Sequence, residues 1–470
     1  MSTTRRQFLH GAGAAAVGLT VLGSAEPLSA ASGAAAEHFS RGAGYGALVA
    51  DPAGLLDLPE GFRYRVVTRA GDRLTDLAGR PATGRVPGAQ DGTAAFGGPR
   101  GGSVLVVNHE QGATAEHPAV APAAYTYDPL AVGGTSTIHV DRHGRRQSEY
   151  VSLAGTWSNC AGGSTPWGTW LTCEETEQKA DGIVATKDHG WVFEVDPSSP
   201  GHNQDPTPLK ALGRFAHEAV AIDPGRGHAY LTEDASGPNG LLYRFTPADR
   251  RHRYGAYRRG GHLEAMLLPD LPDLSTEVRI GARHRVQWMA VPDPSATSIS
   301  TRKQFDHTVA GAPVAGDGGA ISRSRKLEGI YWQDGLVHLV ASYARRSDGS
   351  ASEHDGQVWA LDPRRSTIEL KVRFAVNTDT ASDRPDGPDN ITVTPSGGLV
   401  LAEDGEGASH VLGVNRWGET FLIARNALND SEFTGPTFSR DRQTLFVNIQ
   451  TPGIVLAVTG PWSRRGGAAL

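Results

Sequence analysis

The sequence predicts an all-β protein, a six-bladed β-propeller with insertion loops, and three observations support this fold class. Helical periodicity is scarce, whereas strand-like alternation of apolar and polar residues recurs along the chain. The 470 residues include 59 glycines and 29 prolines, an excess that is typical of many tight turns between short strands. One hairpin pattern also repeats six times, with a polar residue near its start and, in most copies, acids at its end.

Six copies of this hairpin pattern predict six blades. The copies span residues 91–110, 159–175, 217–234, 327–342, 389–404 and 432–450. Most are followed by another alternating stretch, such as 242–245 and 357–361, so that two hairpins supply the four strands of one blade. A propeller of five or seven blades and a pair of β-sandwiches are the competing architectures.

The chain divides into an export signal and one domain. Arg5-Arg6, followed by Phe8-Leu9 and a Gly/Ala-rich apolar stretch, is typical of a twin-arginine signal. We therefore expect residues 1–36 to be signal and small-residue linker, and the protein to be periplasmic, on the cell surface or secreted. A disordered basic tail is the alternative. Residues 37–470 are expected to form a single propeller domain, with insertion loops around 250–324, where the spacing between copies is longest.

Composition excludes several classes of partner and site. The formal net charge of −6 argues against nucleic acid or an anionic membrane as the main partner. After the first 30 or so residues no apolar run approaches the roughly 20 residues that span a bilayer, so we expect no stable membrane insertion. Cys160 and Cys173 are the only cysteines, which excludes a disulfide-stapled scaffold and a multi-cysteine metal site. We expect a monomer.

The repeat predicts a ring of acids at one end of the channel, because the first strand of each propeller blade lines that channel. The residues that open the six copies are Asp91, Cys160, Glu218, Glu328, Asp389 with Asn390, and Glu432. The second strands end at Glu110, Glu174, Glu175, Glu233, Asp234, Glu403 and Asp404. Such a ring would repel itself if bare, and bound cations are the natural compensation. The alternative is that these acids only cap turns at the surface.

The donor types indicate which cations would bind. Oxygen-rich sites favour hard ions such as Ca²⁺, whereas a thiolate from Cys160 among carboxylates suits a transition metal. Cys160 could instead be a small buried residue, a disulfide partner of Cys173, or a nucleophile, although no histidine clearly partners it. The chain contains no G-x-S-x-G elbow, no Walker loop and no H-E-x-x-H motif.

The motifs resemble the PhoX alkaline phosphatase family over most of the chain after the signal. They are Asn108-His-Glu110, the segment 159–175 (NCAGGSTPWGTWLTCEE), His217-Glu218, Leu327-Glu328-Gly329, Asp389-Asn390-Ile-Thr and Glu403-Asp404-Gly405. The segment 159–175 is the most specific of them. The resemblance implies a six-bladed propeller that hydrolyses phosphomonoesters with two ferric ions and several calcium ions in its channel.

The resemblance also implies roles for individual residues. Cys160 would be the thiolate that the irons share, with Glu218 and either Asp389 or Asp404 completing their ligands. The acids shared between iron and calcium would be Glu110, Glu174, Glu175, Glu233, Glu328 and Glu403, in a division that the sequence leaves open. Asp234 belongs to the same predicted metal-binding ring.

The chain departs from the family at the residue that holds the substrate phosphate. The family has an arginine just before the acid of the fourth blade, and here Lys326 stands at that place with Arg325 one residue earlier. A lysine contributes a point charge where an arginine offers a bidentate fork. The expected catalytic residues are Lys326, Arg325, Glu328 and Asn108. A solvated basic loop is the alternative interpretation of the two cations.

We therefore expect an exported, metal-dependent phosphomonoesterase that acts on a small-molecule phosphate ester and uses the twin-arginine export machinery. One alternative is a calcium-dependent lactonase or esterase on the same scaffold, which needs no thiolate. Another is a non-catalytic exported propeller that binds calcium. Iron content separates the first alternative from the phosphatase, and turnover separates the second.

Overall fold

The computed structural model describes residues 44–305, 321–379, 383–394, 397–415 and 417–462, all within one compact unit, His38–Leu470. The predicted signal at residues 1–36 lies outside the described residues, so its assignment stays a prediction. In the described part of the chain the only helices are short 3-10 turns, none long and apolar enough to cross a membrane. These turns are Pro99–Gly101, Ala123–Tyr125, Pro200–Asn203, Lys210–Leu212, Ala256–Arg259, Leu274–Thr276, Thr301–Phe305 and Arg346–Asp348.

Six antiparallel sheets account for the strands, and we number them as blades 1 to 6. In sheet order, blade 1 contains β6 (Gln90–Gly97), β7 (Ser103–His109), β8 (Gly133–Val140), β9 (Arg146–Thr156), β4 (Arg73–Thr75) and β5 (Pro81–Arg85). Blade 2 contains β10 (Asn159–Ser164), β11 (Trp170–Glu174) and β12 (Val192–Val195). Blade 3 contains β13 (His217–Ile222), β14 (Ala229–Glu233), β15 (Leu242–Pro247), β16 (Gly261–Leu267) and β18 (Gln287–Ala290).

The other three blades follow the same plan. Blade 4 contains β19 (Leu327–Gln333), β20 (Leu336–Ala341), β21 (Gly356–Asp362), β22 (Thr367–Phe374) and β17 (Arg283–Arg285). Blade 5 contains β23 (Pro388–Val393), β24 (Leu399–Glu403), β25 (His410–Val414), β26 (Thr420–Asn426), β2 (Leu56–Pro59) and β1 (Leu48–Val49). Blade 6 contains β27 (Phe433–Phe438), β28 (Thr444–Ile449), β29 (Ile454–Thr459) and β3 (Arg63–Arg69).

The first strands of the six blades form a closed ring. Strands β6, β10, β13, β19, β23 and β27 contact one another in that order, and β27 contacts β6 again. These strands therefore line the channel. The prediction of a six-bladed propeller is confirmed, and each predicted hairpin is the inner hairpin of one blade.

The early part of the chain completes the last blade. Strand β29 pairs with β3 from Ile454 opposite Arg69 to Thr459 opposite Arg63. Blade 6 thus takes three strands from the end of the described chain and one from its beginning. This pairing joins an early strand to late strands in one blade and so closes the circle of blades.

The core lies between successive blades, because each sheet is buried on both faces. In β20, Val337, Leu339 and Ala341 pack against blade 3, whereas Val340 packs against blade 5. This division follows the two-residue period of a β-strand. It explains why many inner strands read as continuous apolar runs.

The expected insertion region around 250–324 also supplies sheet strands. It contains β16, which is the fourth strand of blade 3, and the short strands β17 and β18, which extend blades 4 and 3. Leu263 and Ala265 of β16 are buried in the core. Residues 306–320 of this region lie outside the described residues.

Candidate metal centre

A β-bulge aims one side chain from the inner strand of each of the first five blades. The pairing of β6 with β7 shifts between Gln90 and Thr93, and the same shift recurs at the start of β10, β13, β19 and β23. The residue that begins each bulge is Asp91, Cys160, Glu218, Glu328 or Asp389. A bulge breaks the regular pairing and redirects a side chain. In blade 6 the shift comes later, and Glu432 lies directly before β27.

These side chains form four donor groups, and the donor atoms of each group lie within 4.8 Å of one another. The groups are Asp91–Glu110–Cys160, Cys160–Glu175–Glu218, Glu218–Glu328–Asp389 and Asp389–Asp404–Glu432. Because successive groups share Cys160, Glu218 and Asp389, they form one continuous arc across all six blades. We call this arc the donor ring.

Cys160 has a strongly negative environment. Its Sγ lies 3.1 Å from Glu218 Oε1 and 3.9 Å from Asp91 Oδ1. Burial, and then the surrounding carboxylates, raise the pKa of the Cys160 thiol well above its usual value. Both cysteines are free thiols, and Cys173 is buried in the core, so the alternative of a disulfide between them is excluded.

The residues present fit bound cations. Carboxylates from neighbouring blades bring their oxygens together at buried and half-buried positions, and the like charges repel unless positive charge lies between them. A cation would also reverse the effect on Cys160, because a metal-coordinated thiol is deprotonated. The donor ring could therefore hold several metal ions side by side.

Seven predicted metal ligands belong to the donor ring: Glu110, Cys160, Glu175, Glu218, Glu328, Asp389 and Asp404. Asp91 and Glu432 belong to it as well. The repeat pattern placed these two residues at the channel, but the family resemblance gave them no role.

Three other predicted ligands lie outside the donor groups, and their carboxylates have different partners. Glu174, Glu233 and Glu403 are the last residues of β11, β14 and β24, and all three are buried. Their side-chain partners are His189 Nδ1 at 2.7 Å, Arg302 Nη1 at 2.9 Å with Tyr243 Oη at 2.7 Å, and His410 Nδ1 at 2.8 Å, respectively. Successive side chains of a strand point to opposite faces. The acid that ends each strand therefore faces the partners just named, whereas the acid that follows it, Glu175, Asp234 or Asp404, points to the other face.

Lys326 links two blades at the edge of the donor ring. Its Nζ lies 3.3 Å from Asp234 Oδ2 and 3.2 Å from Glu328 Oε1. The side chain is mostly buried, and Nζ lies 5.7 Å from the centre of the Tyr343 ring. Asp234, a predicted metal ligand, is therefore paired with this ammonium and belongs to none of the four groups. Arg325 is partly buried beside Lys326.

Asn108, a predicted catalytic residue, lies wholly buried and holds the backbone of the next blade. Its Nδ2 donates to the carbonyl oxygens of Cys160 at 2.9 Å and Ala161 at 2.8 Å. Its Oδ1 accepts hydrogen bonds from Trp170 and Thr172, both at 2.9 Å. Both ends of this amide therefore form hydrogen bonds within the fold, to the backbone of β10 and to side chains of β11.

Gln450 is a residue of the site that the sequence argument missed. Its Nε2 donates to Asp91 Oδ2 at 2.9 Å and to Glu110 Oε2 at 2.8 Å. A glutamine carries no charge and is no general acid or base, so a search for acids, thiols and cations gave no signal for it. Only its place, one residue beyond β28, matches the places of Glu110, Glu175 and Asp404 in the other blades.

A separate cavity of about 650 Å³ lies at the other ends of the inner strands. Its lining includes Phe96, Trp167, Phe438 and Arg440, and no residue of the donor ring. The donor ring therefore stands apart from this cavity.

Comparisons with known proteins agree with this architecture. Residues 43–453 match the family model described as alkaline phosphatase PhoX, which confirms the resemblance found in the sequence. Pseudomonas fluorescens PhoX in complex with vanadate is 20% identical with a TM-score of 0.61, over 90% of this chain and 99% of that chain. A Xanthomonas campestris gluconolactonase is 12% identical with a TM-score of 0.41, over 85% and 97% of the two chains. No curated protein matches the chain.

Proposed function

We propose that the donor ring holds the metal ions with which this chain hydrolyses phosphate monoesters. The chain belongs to the alkaline phosphatase PhoX family and is a metal-dependent hydrolase of these esters. The observation that carries the proposal is the set of four donor groups that share residues across all six blades. Phosphoryl transfer needs positive charge close to the phosphoryl oxygens, and adjacent cation sites supply it. The similar Pseudomonas fluorescens protein is described with vanadate as a transition state analogue, and we place the phosphoryl group of this chain's substrate at the donor ring.

The donor types assign a metal to each group. Two groups combine the Cys160 thiolate with carboxylates, which favours a transition metal, and we assign ferric iron to them. The other two groups offer only carboxylate oxygens, which favour Ca²⁺. When bound, these ions supply Lewis-acid stabilisation of the phosphoryl oxygens.

Lys326 is the residue that we assign to the substrate phosphate. Asp234 and Glu328 hold its ammonium at the edge of the donor ring, so its positive charge is in place before substrate arrives. An ammonium group rotates its three N–H donors freely, so it can pass from a carboxylate to a phosphoryl oxygen. We assign a supporting role to Arg325, which contributes further positive charge beside Lys326. Glu328 serves both as a metal ligand and as the partner that orients Lys326.

Hydrolysis of p-nitrophenyl phosphate at alkaline pH tests the proposal when it is combined with metal analysis. We expect turnover with calcium present, loss of turnover after chelation, and iron in the purified protein. Cys160→Ala is expected to lose activity and iron together. Cys173→Ala is the matched control, because Cys173 is equally buried but belongs to none of the donor groups. Full activity and iron content in Cys160→Ala would overturn the assignment.

The position of Cys160 argues against the calcium-dependent lactonase alternative. Carbonyl chemistry at a single Ca²⁺ needs oxygen ligands and no thiolate, yet this thiol takes part in two donor groups. We therefore keep phosphate ester hydrolysis as the single proposed activity.

Export by the twin-arginine pathway is part of the proposal and rests on the sequence of residues 1–36. Replacing Arg5 and Arg6 by lysines is expected to hold the protein inside the cell, as cell fractionation would measure. Unchanged export of that variant would refute this part and leave the phosphatase assignment intact.

A further inference from the structure

We propose that three side-chain amides hold the thiol-containing end of the donor ring in its metal-binding geometry: Asn448 and Gln450 position Asp91, as Asn108 positions Cys160. The inference rests on the proposed function only in taking the groups around Cys160 as a metal site. It concerns positioning residues, which act on the ligands and not on the substrate.

Asn108 and Asn448 occupy equivalent places in their blades. Each is the residue before the last of the second strand, β7 in blade 1 and β28 in blade 6. Asn108 Nδ2 donates to the Cys160 carbonyl oxygen at 2.9 Å, and Asn448 Nδ2 donates to the Asp91 carbonyl oxygen at 2.6 Å. Each asparagine thus holds the bulge that aims a donor from the next blade.

Asparagine occupies this place only at the two junctions that flank Asp91. The equivalent residues of β11, β14, β20 and β24 are Cys173, Thr232, Val340 and Ala402. A bulge leaves backbone groups outside the regular ladder, and a buried carbonyl without a partner is costly. The two asparagines supply the missing donors on both sides of the Asp91–Glu110–Cys160 group.

Gln450 forms hydrogen bonds to the carboxylates themselves, whereas the two asparagines bond to backbone carbonyl oxygens. A primary amide nitrogen carries two N–H donors, and here one serves Asp91 and the other Glu110. The bond to Asp91 uses Oδ2, while Oδ1 of the same carboxylate lies 3.9 Å from Cys160 Sγ. Because an amide is uncharged, it joins two acids without cancelling the negative charge that attracts a cation.

Glycines allow the same two junctions to pack backbone against backbone. A Cβ added at Gly92 would lie 2.6 Å from the Cα of Ala161, and one added at Gly435 would lie 2.4 Å from the carbonyl oxygen of Asp91. Real Cβ atoms do not approach so closely. The bulges are therefore held by contact as well as by hydrogen bonds.

Cobalt(II) binding to metal-free protein tests the inference independently of phosphatase activity. A thiolate-to-cobalt charge-transfer band reports binding at Cys160, and Cys160→Ala should eliminate it. We expect Asn448→Ala, Gln450→Met and Asn108→Ala to weaken cobalt affinity by about 10- to 100-fold, as is typical for residues that orient metal ligands.

Asn203→Ala is the control for the loss of a buried, hydrogen-bonded asparagine outside the donor ring, because both ends of the Asn203 amide bond to the Asp196 backbone in its own loop. A melting temperature of each of the three variants equal to that of Asn203→Ala would show that the weaker cobalt binding does not result from unfolding. Wild-type affinity in all three variants would overturn the inference. A band in the wild type without phosphatase activity would overturn the proposed function and leave the inference standing, whereas no band in the wild type would contradict both.

Discussion

Cys160 Sγ lies 3.1 Å from Glu218 Oε1, across the junction between blades 2 and 3. Both residues begin a β-bulge, so two independent sheets must each make the same local irregularity for this contact to form. The contact brings a thiol and a carboxylate to the spacing of two ligands on one metal ion.

Metal removal should lower the stability of the protein. Without cations the carboxylates of the donor ring repel one another, and an ion that binds only the folded state stabilises it by mass action. An ion at 100 times its dissociation constant contributes about 2.7 kcal/mol. We expect chelation to lower the melting temperature and added calcium to restore it, as calorimetry would measure. An unchanged melting temperature would contradict the cation sites.

Two substitutions of Lys326 should show whether phosphate binding depends on the positive charge alone or also on the geometry of the cation. Lys326→Met removes the ammonium between Asp234 and Glu328, and we expect kcat/KM to fall by about 10- to 100-fold, the range for one hydrogen bond to a charged group. Lys326→Arg keeps the charge and adds a bidentate fork, so it should bind vanadate at least as tightly as the wild type. Lys371→Met, which removes an exposed lysine on β22, is the control. Wild-type kinetics in Lys326→Met would rule out the assigned role.

Asp386 should make stability depend on pH. Burial, followed by the nearby Glu403 carboxylate, raises the pKa of Asp386 to about 7. The folded state therefore binds this proton more tightly than the unfolded state, and its contribution to stability is present below pH 4 and is lost as the pH rises towards 7. We expect the free energy of unfolding, measured with urea, to differ less between pH 5 and pH 8 in Asp386→Asn than in the wild type. An exposed control, Asp334→Asn, should leave the difference unchanged.

Gly435→Ala should destabilise the protein more than the same substitution at a glycine in open space. An alanine there would meet the carbonyl oxygen of Asp91 at 2.4 Å and would also adopt a φ of +57°. Gly54 has a similar φ of +63° but nothing within 4 Å, so Gly54→Ala isolates the backbone cost of about 1–2 kcal/mol. We expect Gly435→Ala to destabilise the protein more and to weaken metal binding, as unfolding and metal titrations would show. Equal effects of the two substitutions would contradict the close packing.

The blades could be predicted because their information is local. Each inner hairpin has its own alternation and turn, so 217–234 and 389–404 can be recognised without knowledge of their neighbours. Strand β16 was missed because its short alternation stands among Arg, His and Gly residues that are typical of loops. The pairing of β3 with β29 depends on residues at opposite ends of the chain, and no local pattern reveals it.

The donor ring was predictable in its residue types but not in its finer geometry. Acid pairs such as Glu174-Glu175 look equivalent in the sequence, yet only Glu175 belongs to a donor group, because strand alternation turns Glu174 towards His189. Asn108 belongs to the family motif Asn108-His-Glu110, and the role expected for it was catalytic. Its hydrogen bonds to the Cys160 bulge depend on how two blades pack, which a linear pattern does not contain.

The hydrogen bond between Gln450 and Asp91 depends on the closure of blade 6. Gln450 and Asp91 are 359 residues apart, and their contact forms only when the last strands have joined β3 and closed the circle. An incomplete chain could form most of its blades and still lack this contact. If Gln450 positions Asp91 as proposed, a chain that lacks blade 6 should bind metal at the Asp91–Glu110–Cys160 group more weakly than the full chain.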